Sequence, residues 1–287
     1  MSADSPAAPE PFSVLLPVYG GDDPDHFRQA FTSAVQKQTL PPDEVVVVQD
    51  GPVPNAVGAA IAEMVEASPV PVRLVQLPQN VGLAGALMRG LEACTHDIVA
   101  RMDADDISLS SRFETQVPLV AGGFDLVGSG MLEFDGDGRV VGRRIPPVGD
   151  AGIRKAARLR DPFNHPTVVY RKRAVLSVGG YDDLALMEDY LLFARMLQAG
   201  VPVANLPDAL VMYRVDSGAY ARRGGTRLFR SELELQRRLL DQGFVTRPQY
   251  LRNILVRGAY RFVPTPLRRA MYKRALVRKV GAKQPSV

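Results

Sequence analysis

Ser13-Val14-Leu15-Leu16-Pro17-Val18 is a short apolar run rich in Val and Leu, closed by Tyr19-Gly20-Gly21. Such a run, bounded by turn residues, reads as a buried strand passing into a loop. From Asp25 to Gln38, Phe27, Ala30, Phe31, Ala34 and Val35 recur at helical spacing, Pro41-Pro42 stops the pattern, and Glu44 to Val48 begins a second strand. The alternation continues with helix at Asn55 to Ala67, strand at Val72 to Gln76, helix at Leu83 to Ala93 and strand at Asp97 to Met102. Helices between short Val-rich strands imply crossover connections, so the first hundred residues predict a doubly wound α/β fold with a largely parallel sheet.

Beyond Asp106 the rhythm loosens. Arg112 to Val120 reads as helix, Asp125 to Gly128 as strand and Asp135 to Gly138 as a hairpin-type turn. A polar loop from Asp161 leads to a strand at Thr167 to Tyr170, a helix at Glu188 to Gln198 and a strand at Ala209 to Tyr213. From about Thr226 helical patterns follow, broken at Gly243, Pro248 and Pro264-Thr265-Pro266.

The 287 residues, 46% hydrophobic and 23% charged, suit one large domain with an appendage and exclude wholesale disorder. The one cysteine, Cys94, cannot form an internal disulfide or a Cys-rich zinc site, which fits a reducing cytoplasm. The longest uncharged stretch, Leu74 to Met88, is interrupted by Gln76, Pro78, Gln79 and Asn80, so no spanning helix is expected. Met1 to Pro11 lacks the basic start and apolar run of a signal peptide and reads as a loose tail. Charge divides unevenly: residues 222–287 hold 17 of the 35 Lys and Arg but 3 of the 31 acids, a segment of +14 beside a remainder of −10. Such a basic tail suits anionic lipid, nucleic acid, or a solvated face packed by one apolar stripe on the body.

Ligands of open parallel sheets bind beyond the carboxyl ends of the strands. Three of those ends carry polar material here: Pro17-Val18-Tyr19, Gln49-Asp50-Gly51 and Met102-Asp103-Ala104-Asp105-Asp106. Closely spaced carboxylates repel one another unless a cation neutralises them, and Mg²⁺ or Mn²⁺ with the phosphates of a nucleoside diphosphate is the natural partner. The same run also reads as a solvated acidic loop capping the next helix. Asp50-Gly51 is equally turn chemistry, Asn80 to Gly85 equally a helix start, and Glu188-Asp189 equally a capping pair. No histidine pair has metal-ligand spacing, and neither a phosphate-binding P-loop nor a Ser or Cys nucleophile motif is present.

As an ordered set these segments are more specific. Val14 to Tyr19, Glu44 to Gly51, Asn80 to Leu87, Arg101 to Asp106, His165-Pro166-Thr167-Val168 and Glu188-Asp189-Tyr190 resemble family 2 glycosyltransferases of the GT-A fold across nearly the whole chain. Arg171-Lys172, Tyr213-Arg214 and Arg222-Arg223-Gly224-Gly225 look most like the subgroup that builds bacterial exopolysaccharide, amylovoran-type enzymes among them. The resemblance implies residues 12–221 as the catalytic domain and 222–287 as a basic helical extension. It also implies a nucleotide-sugar donor, usually UDP-linked, Mg²⁺ or Mn²⁺, and transfer with inversion.

By that resemblance Pro17, Val18, Tyr19 and Asp50 line the base and ribose pocket, and Asn80 and Gly82 flank the nucleotide. Asp103-Ala104-Asp105 matches the D-x-D motif, with Asp105 the direct metal ligand and Asp103 nearer the ribose or sugar. Asp189 matches the general base. His165, Glu188, Arg214, Arg222 and Arg223 fall to the acceptor or diphosphate.

Four positions depart from the family pattern. Met88 replaces a common Asn, a Pro before Arg112 is absent, and Leu191-Leu192-Phe193 replaces an aromatic-rich segment. Asp216 stands where many relatives carry a His after Tyr-Arg, and its oxygen would suit a hard cation. Relatives commonly extend glycans on polyprenyl-diphosphate carriers at the cytoplasmic membrane face. The stripe Leu251, Ile254, Leu255, Ala259 and Phe262 among arginines is expected to lie there. Two other functions compete. A sugar-phosphate nucleotidylyltransferase would need a Gly-rich basic loop after strand one, where this chain has Tyr19-Gly20-Gly21-Asp22-Asp23. A non-catalytic nucleic-acid or membrane binder would rest on the basic tail, whose arginines lack interleaved aromatic residues, so no nucleic acid is expected.

Overall fold

Alternation along the first strands decides the layering. In β1 (Phe12–Tyr19) and β2 (Glu44–Asp50), Leu15, Val46 and Val48 face one apolar cluster, while Val14, Leu16, Val45 and Val47 face another on the opposite side. Strands covered on both faces read as continuous apolar runs, which is why Val45 to Val48 shows no polar alternation. The computed structural model describes residues 10–215, 226–258 and 277–278.

Helix α1 (Pro24–Val35) starts where the Asp23 carboxylate accepts from the amides of Asp25 and His26 at 2.9 and 3.0 Å, with Pro24 in its first turn. It packs Phe27 and Phe31 under the sheet with α2 (Asn55–Glu66). Then come β3 (Val72–Gln76), α3 (Gly82–Ala93) and β4 (Ile98–Arg101). The chain continues through β5 (Ile107–Ser108), α4 (Arg112–Ala121), β6 (Leu126–Phe134), β7 (Val140–Arg144) and α5 (Asp150–Ala157). A 3₁₀ turn (His165–Thr167) leads to β8 (Val169–Arg171), α6 (Lys172–Ser177), α7 (Glu188–Gln198) and β9 (Val203–Arg214). The described remainder is α8 (Thr226–Asp241), α9 (Arg247–Asn253), a π turn (Ile254–Gly258) and β10 (Val277–Arg278).

β1 lies between β2 and β4, and β2 pairs β3, all parallel, as the sequence predicts. The second half makes the sheet mixed: β8 runs antiparallel to both β4 and β6, β6 and β7 form a hairpin, and β9 runs parallel to β6. The segment at Thr167 begins as a 3₁₀ turn, with the strand starting at Val169, because the Thr167 amide donates to the Asn164 carbonyl at 2.9 Å instead of joining a ladder, and the Thr167 hydroxyl reinforces the turn by donating to the same carbonyl. Pro248 starts α9 where a break is expected. It sits in the first turn behind a Thr246/Gln249 capping box, where a missing N–H costs nothing. The N-terminal segment is anchored at its end, where Glu10 receives Arg171 at 2.9 and 3.1 Å.

The described part of the basic extension packs on the body. Leu228, Leu235 and Leu239 of α8, with Phe244 and Val245, join the core cluster that holds Leu191 and Leu192 of α7. Glu232, fully buried, pairs with Arg257, and Asn253 bridges Gln236 and the Arg158 carbonyl. Leu251 and Leu255 stay exposed, and Ala259 and Phe262 lie outside the described residues. Among the described residues no helix is long and apolar enough to cross a membrane.

Candidate active site

The carboxyl ends of β1 and β2 lie side by side, with Tyr19 in register with Asp50. Pro17 and Val18 lie inside the strand, whereas Tyr19 is exposed at the sheet edge. The buried Asp50 carboxylate accepts from the amides of Val81 and Gly82 at 2.7 and 3.1 Å, and Asn80 donates to the Asp50 carbonyl at 3.2 Å. Asp50 therefore ties the entrance of α3 to the end of β2 and shapes the loop beside it. Gly51 makes this approach feasible: its φ is +82°, and a Cβ there would stand 2.5 Å from the Asn80 nitrogen.

At the end of β4, carboxylate oxygens of Asp103, Asp105 and Asp106 lie within 4.8 Å of one another. Arg101, almost wholly buried, forks onto Asp103, with one Nη1–Oδ2 contact at 2.7 Å. Beneath it the buried Arg112 donates to the Arg101 carbonyl at 2.6 Å and fixes this end of β4; burial and the nearby Arg101 charge push its guanidinium down to about 9. Asp106 is fully buried. Its Oδ1 accepts the Arg214 amide at 2.9 Å, while its Oδ2 has no partner among the described residues.

Burial and the charges of Asp103 and Asp105 push the Asp106 carboxyl well above the usual range. Asp105 has more open surface, yet its concave surroundings and Asp103 push it up to about 6. An orphaned buried oxygen within a hard-oxygen donor set fits a divalent cation. Arg214 reaches the same cluster: its Nε donates to the Asp105 carbonyl, and its guanidinium lies 4.5 Å from the Phe134 ring centre.

A cleft of about 500 Å³ opens beside this cluster, lined by Arg101 and Asp103 on one side and by Asp161, His165, Glu188 and Asp189 on another. A smaller pocket of about 380 Å³ near Arg28, Ser33 and Ile107 has no carboxylate in its wall. Glu188 and Asp189 open α7, and the Asp189 Oδ1 accepts the Tyr190 amide at 2.7 Å. Burial raises the Asp189 carboxyl, and burial together with Asp189 pushes Glu188 up to about 7. His165 Nε2 meets the Tyr181 hydroxyl at 2.9 Å, while its Nδ1 stands 3.9 Å from Asp189, too far for a hydrogen bond. Burial and Arg101 hold that imidazole well below its ordinary pKa, so it is neutral.

The fold thus brings Tyr19, Asp50, Asn80 and Gly82 to one sheet edge and Asp103, Asp105 and Arg214 to the acidic cluster. His165, Glu188 and Asp189 meet in the cleft. Ala104 is buried between its two aspartates. Arg222, Arg223 and Asp216 lie outside the described residues. Sequence reasoning assigned no role to Arg101, Asp22 or Asp161. Burial pushes Asp22 up to about 7, with the charges of Asp105 and Asp103 adding to it, so it faces the acidic cluster from the β1–α1 loop. Its only signal in the sequence is its place just past strand one.

A half-parallel sheet that presents clustered carboxylates beyond β4 and a carboxylate-lined cleft beside them is the arrangement of the GT-A fold. Residues 13–179 match the family described as Glycosyl transferase family 2. The chain is 38% identical over 268 residues to the amylovoran biosynthesis glycosyltransferase AmsE of Erwinia amylovora, covering 92% of this chain and 98% of that one. It is 32% identical over 283 residues to an Escherichia coli UDP-Gal:α-D-GlcNAc-diphosphoundecaprenol β-1,3-galactosyltransferase, covering 97% and 99%. In fold it is similar to the mannosyltransferase PcManGT of Pyrobaculum calidifontis, solved with GDP-Man and Mn²⁺, at a TM-score of 0.63 and 19% identity over 95% of this chain and 79% of that one. The chain belongs to glycosyl transferase family 2 and is a glycosyltransferase.

Proposed function

We propose that this glycosyltransferase moves a hexose, with inversion, from a UDP-sugar to a hydroxyl of a polyprenyl-diphosphate-linked saccharide in bacterial surface-polysaccharide synthesis. The observation that carries the reading is the shared wall of the cleft: Asp103 of the acidic cluster and Asp189 of α7 line one cavity. Two full-length relatives named for polysaccharide and lipid-linked glycan synthesis support the substrate class.

In this reading Tyr19, Asp50, Asn80 and Gly82 form the nucleotide edge, and Asp103, Asp105 and Asp106 hold Mg²⁺ or Mn²⁺. The bound cation supplies charge that offsets the negative charge growing on the leaving diphosphate. Asp189 takes the proton of the acceptor hydroxyl as its oxygen attacks the anomeric carbon from the face opposite the leaving group. The neutral His165 and Glu188 orient the acceptor, and Arg214 holds the loop of the cluster. Exposed Leu251 and Leu255 on the basic extension touch the cytoplasmic face of the membrane, where such acceptors reside.

Isothermal titration with UDP and GDP, with Mn²⁺ and then EDTA, tests the donor site in wild type and Asp105→Ala. Metal-dependent UDP binding that is lost in Asp105→Ala is expected. Folded wild-type protein that binds neither nucleotide with metal would overturn the assignment.

A further inference from the structure

The chain enters α7 through a tight turn. The Met187 amide donates to the Leu184 carbonyl at 2.9 Å, which closes Leu184-Ala185-Leu186-Met187 into a four-residue turn ending at the first residue before the helix. The ends of the turn are sunk in the core: Leu184 and Met187 are each 6% exposed and belong to the cluster that holds Leu191 and Leu192. Its third residue, Leu186, takes a φ of +67° and is 56% exposed. A positive φ at the third position alone is the pattern of a type II turn, where glycine or asparagine is at ease and a leucine side chain is strained. Among the described residues Leu186 is the one non-glycine residue with a positive φ.

Leucine at this position opposes folding twice. Its Cβ crowds the left-handed backbone, and its apolar side chain is left largely in water. Glycine would avoid both. What the position offers a side chain is the cleft, because Leu186 lines the same cavity as His165, Glu188 and Asp189. Backbone strain of this kind is enforced by the packing around it, here the two buried ends of the turn, and it gathers at sites where a ligand uses the side chain so displayed.

We infer that Leu186 is an acceptor-binding residue, whose side chain packs against the apolar face of the sugar unit that receives the transferred hexose. The inference rests on Asp189 being the base of the proposed reaction. Leu186 precedes Asp189 by three residues, so their Cα atoms are no more than about 11 Å apart. A sugar unit with its hydroxyl at Asp189 falls within that reach. The prenyl chain of a lipid-linked acceptor begins only after that sugar and two phosphates, and so lies farther out. A sugar ring carries C–H groups on its faces and hydroxyls at its rim. Leu186 covers a face while the polar groups of His165, Glu188 and Asp189 meet the rim. Water leaves the Leu186 side chain only when the acceptor is seated, so the residue adds to acceptor affinity and not to the stability of the free protein.

Leu186→Gly tests this on the full chain, with turnover and Tm read side by side. Turnover is UDP release from UDP-galactose, with synthetic α-GlcNAc-diphosphates carrying either a methyl or an undecyl tail as acceptors. The variant should raise the acceptor KM about 4- to 20-fold with both tails, the gain that remains for a half-exposed leucine to make, and leave the UDP-galactose KM within about twofold of wild type. Leu186→Met, which restores apolar area, should recover most of the acceptor affinity. The Tm of Leu186→Gly should match that of wild type or exceed it by up to about 3 °C, because strain is relieved and little packing is lost.

An acceptor KM unchanged in Leu186→Gly, beside an inactive Asp189→Asn, refutes this inference alone. A rise confined to the undecyl acceptor puts the side chain against the lipid carrier and overturns the sugar contact, as does a rise in the UDP-galactose KM alone. A Tm lowered by more than about 5 °C makes Leu186 a packing residue and overturns it too. An active Asp189→Asn refutes the base assignment, and a wild type inactive with both acceptors refutes the substrate class; either takes the inference with it.

Discussion

Replacing Glu188 by Gln should stabilise the ligand-free protein at alkaline pH and leave it nearly unchanged in acid. Glu188 is 8% exposed, and Asp189 stands beside it. Burial and that neighbouring charge raise its pKa from an ordinary 4.5 to about 7. A carboxyl raised in the folded state binds protons more tightly folded than unfolded, so stability falls as pH rises from about 4.5 and levels off above about 7. At about 1.4 kcal/mol per unit, full ionisation costs about 3 kcal/mol, of which less than about 1 kcal/mol is incurred near pH 5.

Gln has the same shape and carries no charge, so Glu188→Gln removes that cost. Urea unfolding near pH 5 and near pH 8 should show a gain that grows by about 2 kcal/mol between them, seen also as several degrees in Tm. A gain equal at both pH values, or a loss at both, would refute the reasoning. The variant should lose transfer activity if Glu188 orients the acceptor, the exchange of stability for function that buried charges in clefts embody.

Gly51→Ala should cost about 2 kcal/mol or more, because φ of +82° disfavours a side chain and the new Cβ would collide with Asn80; denaturant unfolding and UDP titration should both report it. Arg101→Met strips the cation from Asp103 and should destabilise by about 3–5 kcal/mol, with Mn²⁺ restoring part of it in thermal scans as the metal takes over that neutralisation. Combined Leu251→Asp and Leu255→Asp, at side chains 60% and 71% exposed, should abolish sedimentation with anionic vesicles while moving stability by no more than about 0.5 kcal/mol. Unchanged sedimentation would remove the membrane role from these two residues.

The parallel half of the sheet was legible because its signals are local. Val45 to Val48 is apolar on every residue, Phe27 and Phe31 repeat at helical spacing, and Pro41-Pro42 stops a helix wherever it occurs. The D-x-D run at the end of β4 was legible for the same reason, as a departure in charge at the end of an apolar strand. The mixed half was not, because which strand joins β8 or β6 depends on pairings between residues far apart, such as Leu126 with Tyr170 and with Val203.

Chemistry divides along the same line. The sequence by itself determined the strand-helix order of the first hundred residues, the acidic run at Asp103 to Asp106 and the Glu188-Asp189 pair, since each is written in neighbouring residues. Only the tertiary structure decided that Arg101 turns inward onto Asp103, that Asp106 is buried with an oxygen to spare, and that Asp161 and Asp189 line one cleft. It also decided that the α8 leucines enter the core while Leu251 and Leu255 face outward, a choice hydrophobicity leaves open. Burial and charge proximity arise from packing across long stretches of chain, and they leave no periodic mark in the sequence.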